Sequence, residues 1–238
     1  MKRPVEFWKE KFFPHSRISQ VPIEQIRDTL LQIFGKWGLP KVIKTDNGAP
    51  FGAPSRDVVP IMSLWLKGWK IHPVLNRPKV PQDNPKVERA QGTSSRWAEI
   101  HKARDAQDLQ NRLDLIIQEH LDKYPVKRFG NVTRTQLFPA LYNNPRKIDI
   151  TQFDFNEAYE FLAHRTLQRK VALSGSVVLY GKVFQVHASF KRQFVNIKFN
   201  TPHTAWDVID QQGKLIKSIE DQRFNPENII SLTACQRT

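Results

Sequence analysis

Apolar residues recur at helical spacing over positions 22 to 37, where Ile23, Ile26, Leu30, Ile33, Phe34 and Trp37 define one face. Gly38 and Pro40 end that helix. Val42 and Ile43 read as the apolar core of a short buried strand, which runs directly into the turn residues Asp46, Asn47 and Gly48. A loop from Phe51 to Arg56 leads to a short helix through Ile61, Leu64, Trp65 and Leu66, and a strand is expected from Trp69 to Leu75. Pro78, Pro81 and Pro85 exclude regular structure from residues 76 to 85 and predict a mobile loop there.

The next helix opens with Asn84 as N-cap, Pro85 at the first helical position and Glu88 in the first turn. Its Val87, Ala90, Ser94, Trp97 and His101 share one face, expected to pack on a sheet. A second helix, capped by Asp105, places Leu109, Leu113, Ile116, Ile117 and Leu121 on a face expected to be buried. From 145 to 170 the composition shifts to a linker with one short helix over 155 to 162. Beyond it the period changes from helical to alternating. Strands are predicted at 171–173, 176–180, 182–187, 194–199, 205–209 and 214–219, with Tyr180-Gly181 and Gln212-Gly213 as turns. The expectation is an α/β region over 1–145, a linker over 146–170 and a small all-β barrel over 171–238.

Composition narrows the class. Apolar residues make up 39% and aromatic residues 11% of the chain, enough for a core. No apolar run has the length of a membrane span and no signal-peptide pattern opens the sequence, so a soluble intracellular protein without membrane association is expected. Cys235 is the single cysteine, and the seven histidines lack ligand spacing, which argues against a disulfide or a structural zinc. The net charge of +14 favours an anionic partner, DNA above all, because neutralised phosphates release counterions.

Two carboxylates stand out. Asp46 follows a strand, where ligands bind in open α/β sheets, and Glu88 sits on an incoming helix, so the pair would be able to share a divalent metal. Local structure alone also explains both: Asp, Asn and Gly are turn formers, and a first-turn Glu suits the helix dipole. Lys86, Arg89 and Arg96 form a basic stripe beside Glu88, within a stretch from 67 to 104 that holds nine Lys or Arg against three acidic residues. A solvated charged face is the alternative to a DNA groove. Positions 161 to 206 contain no acidic residue but include Arg165, Arg169, Lys170, Lys182, Lys191, Arg192 and Lys198. Phe190 and Phe194 bracket Lys191 and Arg192 and are candidates for base stacking, with core packing the stronger expectation for Phe194.

The order helix, Trp37-Gly38-Leu39-Pro40, strand, Thr45-Asp46-Asn47-Gly48, strand, proline-rich loop and Asn84-Pro85-Lys86-Val87-Glu88-Arg89 resembles the catalytic core of retroviral-type integrases and bacterial insertion-sequence transposases over roughly 20 to 145. The resemblance implies a ribonuclease-H-like fold in which Asp46 and Glu88 match the second and third members of an Asp-Asp-Glu triad. Both would be metal ligands and catalytic residues, with Mg²⁺ or Mn²⁺ as cofactor and in-line attack on a DNA phosphodiester as the reaction. Lys86 and Arg89 would position the DNA backbone. Residues 124 to 147, including Phe138 to Tyr142, resemble the end of that core, where Arg128 and Arg134 are further phosphate candidates. The β region resembles the C-terminal barrel of Mu-type transposases.

The family's first Asp has no counterpart among residues 1 to 21, whose only carboxylates are Glu6 and Glu10 in a lysine-rich setting. Residues 12 to 21 are expected to be what remains of the strand before the first helix. The reading is therefore a family member lacking the start of its catalytic domain and inactive as this chain. The alternative is a non-catalytic DNA-binding or subunit-interaction module that modulates a full-length transposase or self-associates.

Overall fold

The computed structural model describes residues 21–52, 58–77 and 85–232. Glu6, Glu10, the expected strand remnant over 12 to 20, the N-cap Asn84, most of the proline-rich loop and Cys235 lie outside the described residues.

In chain order the elements are α1 (Ile23–Trp37), β1 (Val42–Thr45), α2 (Ile61–Gly68), β2 (His72–Leu75), α3 (Pro85–Trp97), α4 (Ala106–Asp122), α5 (Arg134–Leu137), α6 (Phe155–Ala163), β3 (Thr166–Lys170), β4 (Ser176–Leu179), β5 (Lys182–Gln185), β6 (Phe194–Asn200), β7 (Ala205–Ile209), β8 (Leu215–Glu220) and α7 (Pro226–Ser231). The fold is mixed α/β, with three sheets among the described residues. No helix among them is long and apolar enough to cross a membrane. Two compact units form. One contains the described residues of Ile23–Gly35, Leu39–Lys79 and Lys147–Thr238; the other contains Lys36–Gly38 and the described residues among 80–146.

The larger unit is organised around α2. Ile61, Met62, Ser63, Leu64, Trp65, Leu66 and Gly68 are all buried, as a helix apolar on every side must be. Trp65 stacks on Phe34 of α1 at 6.1 Å, and Trp69 meets Phe153 edge to face at 5.2 Å. Gly68 is required by that packing, since a Cβ there would lie 2.1 Å from Cζ of Phe153. The Asp154 amide then donates to the Gly68 carbonyl at 2.8 Å. Asp154 caps α6 through the Asn156 and Glu157 amides, and the bond from Lys70 holds its carboxyl below the usual range. Within the stretch expected as linker, α6 buries Ala158, Tyr159 and Leu162 in the same core.

The β region forms an antiparallel sheet of order β3-β6-β7-β8 and a separate β4-β5 hairpin. Val195, Ile197 and Phe199 of β6 alternate into the core, joined by Trp206 and Val208 of β7. The hairpin turns on Tyr180 (φ 51°) and Gly181 (φ 78°), the two positive φ values that a two-residue turn between right-twisted strands needs. Five of the six expected strands are present at their places. The first is displaced: 171–173 is not a strand, and β3 lies just before it, where Leu167 pairs with Ile197.

Burial corrects three further expectations. β1 is not a buried strand, since Val42 is 52% exposed and Ile43 only half-buried. In the smaller unit the expected inward face of α3 is open: Val87, Ala90, Trp97 and His101 are exposed, and α3 ends at Trp97, short of His101. Asp105 caps α4 by accepting from the Asp108 amide, yet none of Leu109, Leu113, Ile116, Ile117 and Leu121 is fully buried. A helical stripe marks the more apolar side of a helix without fixing how thick a layer covers it. Among the described residues of this unit, the buried apolar ones are the small Ala98 and Ala103.

Candidate functional site

β1 and β2 run parallel, pairing Val42 with His72 through Thr45 with Leu75. The Asn76 amide continues the ladder to the Thr45 carbonyl at 2.9 Å. Asp46 and Asn76 thus leave the sheet at the same, carboxyl-terminal edge, the edge at which open α/β sheets bind ligands. Asp46 is exposed, and its Oδ1 accepts the Gly48 amide at 3.2 Å. That bond closes the turn expected from Asp-Asn-Gly and uses one of the two carboxylate oxygens. The following loop is pinned where Ser63 Oγ of α2 donates to the Phe51 carbonyl at 2.9 Å, and Gly52 lies against Leu75 so closely that a Cβ would meet its side chain at 2.9 Å.

Two neutral oxygens at this edge were not singled out from the sequence. Among the described residues, Thr45 Oγ1 and Asn76 Oδ1 are buried without a hydrogen-bond partner. An orphaned buried acceptor costs about 1–3 kcal/mol, so such atoms mark a place where a bound water or ligand would be stabilising. A Thr at a strand end and an Asn after a strand carry no signal that distinguishes them from ordinary residues.

Glu88 is exposed in the first turn of α3 and belongs to the smaller unit, whereas Asp46 belongs to the larger one. Among the described residues, no three His, Cys, Asp or Glu side chains are grouped as a metal ion would require. The described carboxylates therefore do not by themselves fit a two-metal centre. Beside Glu88, Arg89 and Arg96 are exposed on one stripe of α3, and Arg96 Nε reaches back to the Gly92 carbonyl at 3.2 Å. Lys86 falls on the same helix, one turn before Arg89.

Arg134, a phosphate candidate by sequence, is engaged within the smaller unit. Its Nη1 donates to the carbonyls of His120 and Tyr124, satisfying the end of α4. Burial, and secondarily the Arg134 charge, push the His120 imidazole below its ordinary value. Arg128 lies over the Phe129 ring at 4.7 Å.

In the β region Lys191 and Arg192 are exposed on the turn before β6. The Arg192 amide donates to the Val171 carbonyl at 2.9 Å, with Arg192 in the left-handed region at φ 65°. Lys170, Lys182, Lys198 and Arg165 are exposed as well, while Arg169 turns back to donate to the Val178 carbonyl. The two phenylalanines exchange their expected roles. Phe190 is half-buried against the core, and Phe194 is 49% exposed, because alternation gives Val195 the inward position.

No model of a known protein family matches the chain, and no curated protein sequence matches it.

Proposed function

We propose that this chain is a DNA-binding protein of the integrase and transposase type, acting in DNA integration or transposition, and that as this chain it does not complete the catalytic centre. The single observation that carries the reading is the parallel β1–β2 pair with Asp46 exposed at its carboxyl-terminal edge, after the helix and strand order that the resemblance requires. In this reading α1, β1, α2 and β2 belong to a ribonuclease-H-like core, and β3 to β8 make up the barrel-like DNA-binding part. The basic, acid-free stretch from 161 to 206 supports the DNA partner.

Asp46 and Glu88 supply two of the three carboxylates that such chemistry uses. Mg²⁺ or Mn²⁺ held by all three would activate the attacking oxygen and stabilise the leaving one. A third carboxylate would have to come from outside the described residues, with Glu6 and Glu10 the acidic residues that precede α1. The alternative, a non-catalytic module that modulates a full-length transposase or self-associates, is favoured by one observation: the Asp46 carboxylate already serves its own turn.

The test is strand cleavage and strand transfer on supercoiled DNA in Mg²⁺ and in Mn²⁺, beside Asp46→Asn and Glu88→Gln. No activity is expected in any of the three. Activity in the parent that both substitutions abolish would overturn the incomplete centre and direct attention to Glu6 and Glu10.

A further inference from the structure

We infer that the outer face of the β3–β6 ladder, at Phe194, stacks an unpaired base of a DNA strand whose phosphates are held by Lys170, Lys191 and Arg192. The inference rests on the DNA-binding reading above and adds the form of DNA that this face takes.

The ladder places Lys170 directly opposite Phe194, and Lys170 Nζ lies over the ring at 6.0 Å from its centroid. Both side chains face outward, because the core positions of these strands are taken by Leu167 and Val195. The backbone beneath the ring is fixed: Gln211 Nε2 donates to the Phe194 carbonyl at 2.9 Å. An exposed aromatic on a regular strand loses little side-chain freedom when a base lands on it, which is why sheets with outward aromatics serve as stacking platforms.

Charge selects the occupant. Lys191 and Arg192 are exposed on the turn leading into Phe194, three and two positions before it, and Lys170 lies over its ring. The nearest acidic residue along β7 and its turn, Asp210, is committed to its own loop, where Oδ1 accepts the Gln212 and Lys214 amides at 2.9 and 2.8 Å. At the other end of the face Lys198 pairs across the ladder with Asp207, whose carboxylate accepts from Asn200 and Ser218. The positive end of the face is therefore the Phe194 end. A base settling on the ring displaces the Lys170 ammonium from it and leaves that cation beside the adjoining phosphate. Duplex DNA, with its bases paired and stacked, has no face to offer the ring and engages only the cations.

The experiment compares the full chain with Phe194→Leu, Phe194→Trp and the double substitution Lys191→Gln, Arg192→Gln, measuring fluorescence anisotropy on a 20-nucleotide oligothymidine and on a mixed-sequence duplex over a salt series. Phe194→Leu is expected to weaken single-strand binding roughly five- to hundredfold, the range for one lost base–aromatic stack, with an unchanged salt slope and duplex binding within twofold. Phe194→Trp should retain single-strand affinity. The double substitution should lower the salt slope on both DNAs. Equal single-strand affinity for the parent and Phe194→Leu, or equal losses on both DNAs, would overturn the stacking site while leaving the DNA-binding reading intact. Absence of binding to either DNA in low salt would overturn both.

Discussion

Tyr180 and Val59 lie 121 positions apart and are joined by two hydrogen bonds: the phenol donates to the Val59 carbonyl at 3.0 Å and accepts the Val59 amide at 3.2 Å. The tyrosine stands on the β4–β5 turn, and the valine precedes α2. Arg223 completes the clamp, donating to the Tyr180 and Leu179 carbonyls while paired with the buried Asp221. Burial drives the Tyr180 phenol far above its ordinary value, so it remains a neutral donor at any working pH. Tyr180→Phe leaves a buried N–H and C=O without that partner. A loss of about 1–3 kcal/mol is expected in urea unfolding, with the midpoint lowered and the slope unchanged.

Gly68→Ala forces a methyl group against the Phe153 ring. The expected cost is about 1–3 kcal/mol, the range for overpacking a rigid core. Combining it with Phe153→Leu should restore part of the loss relative to the sum of the two single changes, since the smaller side chain vacates the space. Additive losses would show that the contact at 2.1 Å is relieved in some other way.

DNA affinity should fall steeply with salt. If about five phosphates are engaged, the slope of log K against log salt is near −4 to −5, and each cation removed from the contact lowers its magnitude by about 1. Point substitutions are the appropriate probe. Removing residues 165 to 238 would take away Val195, Ile197 and Trp206 from the core that also holds α2. An unchanged slope after Lys191→Gln with Arg192→Gln places the contacts elsewhere.

Asp46→Asn should leave both stability and DNA affinity near the parent's. The asparagine oxygen accepts the Gly48 amide as the carboxylate does, and Asp46 is exposed. Unfolding free energies within about 0.5 kcal/mol of the parent are expected, the range for surface changes. A larger drop would assign Asp46 a structural duty that the turn bond does not explain.

His120 is held below its ordinary titration range first by burial and then by Arg134. The unfolded chain therefore takes up this proton at a higher pH than the folded chain, and the group removes stability as pH falls through the ordinary histidine range. A proton NMR titration should place the His120 ring below a free histidine, and Arg134→Gln should raise it by the lesser part of the shift. A larger rise would reverse the order of the two causes.

Much of the fold is legible in local pattern. The apolar run at 61 to 66, interrupted by Ser63 alone, announces a short helix, the two-residue periods at 194–199 and 205–209 announce strands, and Asp105 announces the start of α4. The turn at Asp46 is equally local, because its hydrogen bond spans two residues. What pattern left open was coverage. The same stripe logic marks Phe34, which is buried, and Ile33 and Trp97, which are exposed, since amphipathicity ranks the sides of a helix but the neighbouring layer decides burial. Phe190 and Phe194 differ for a related reason: the phase of β6, set by its ladder with β3, turns Phe194 outward, whereas Phe190 lies before the strand, on a turn packed against the core. Thr45, Asn76, Val59 and Tyr180 owe their roles to partners or missing partners created by the chain's return, and no local spacing encodes them. The sequence by itself determined the longer helices, most of the strands, the turns and the basic charge, all of which arise from interactions within a few residues, but not the short helices α5 and α7. Tertiary structure alone decided that α2 and the β region share one core and that Asp46 and Asn76 leave one sheet edge together, because those contacts depend on which distant surfaces meet.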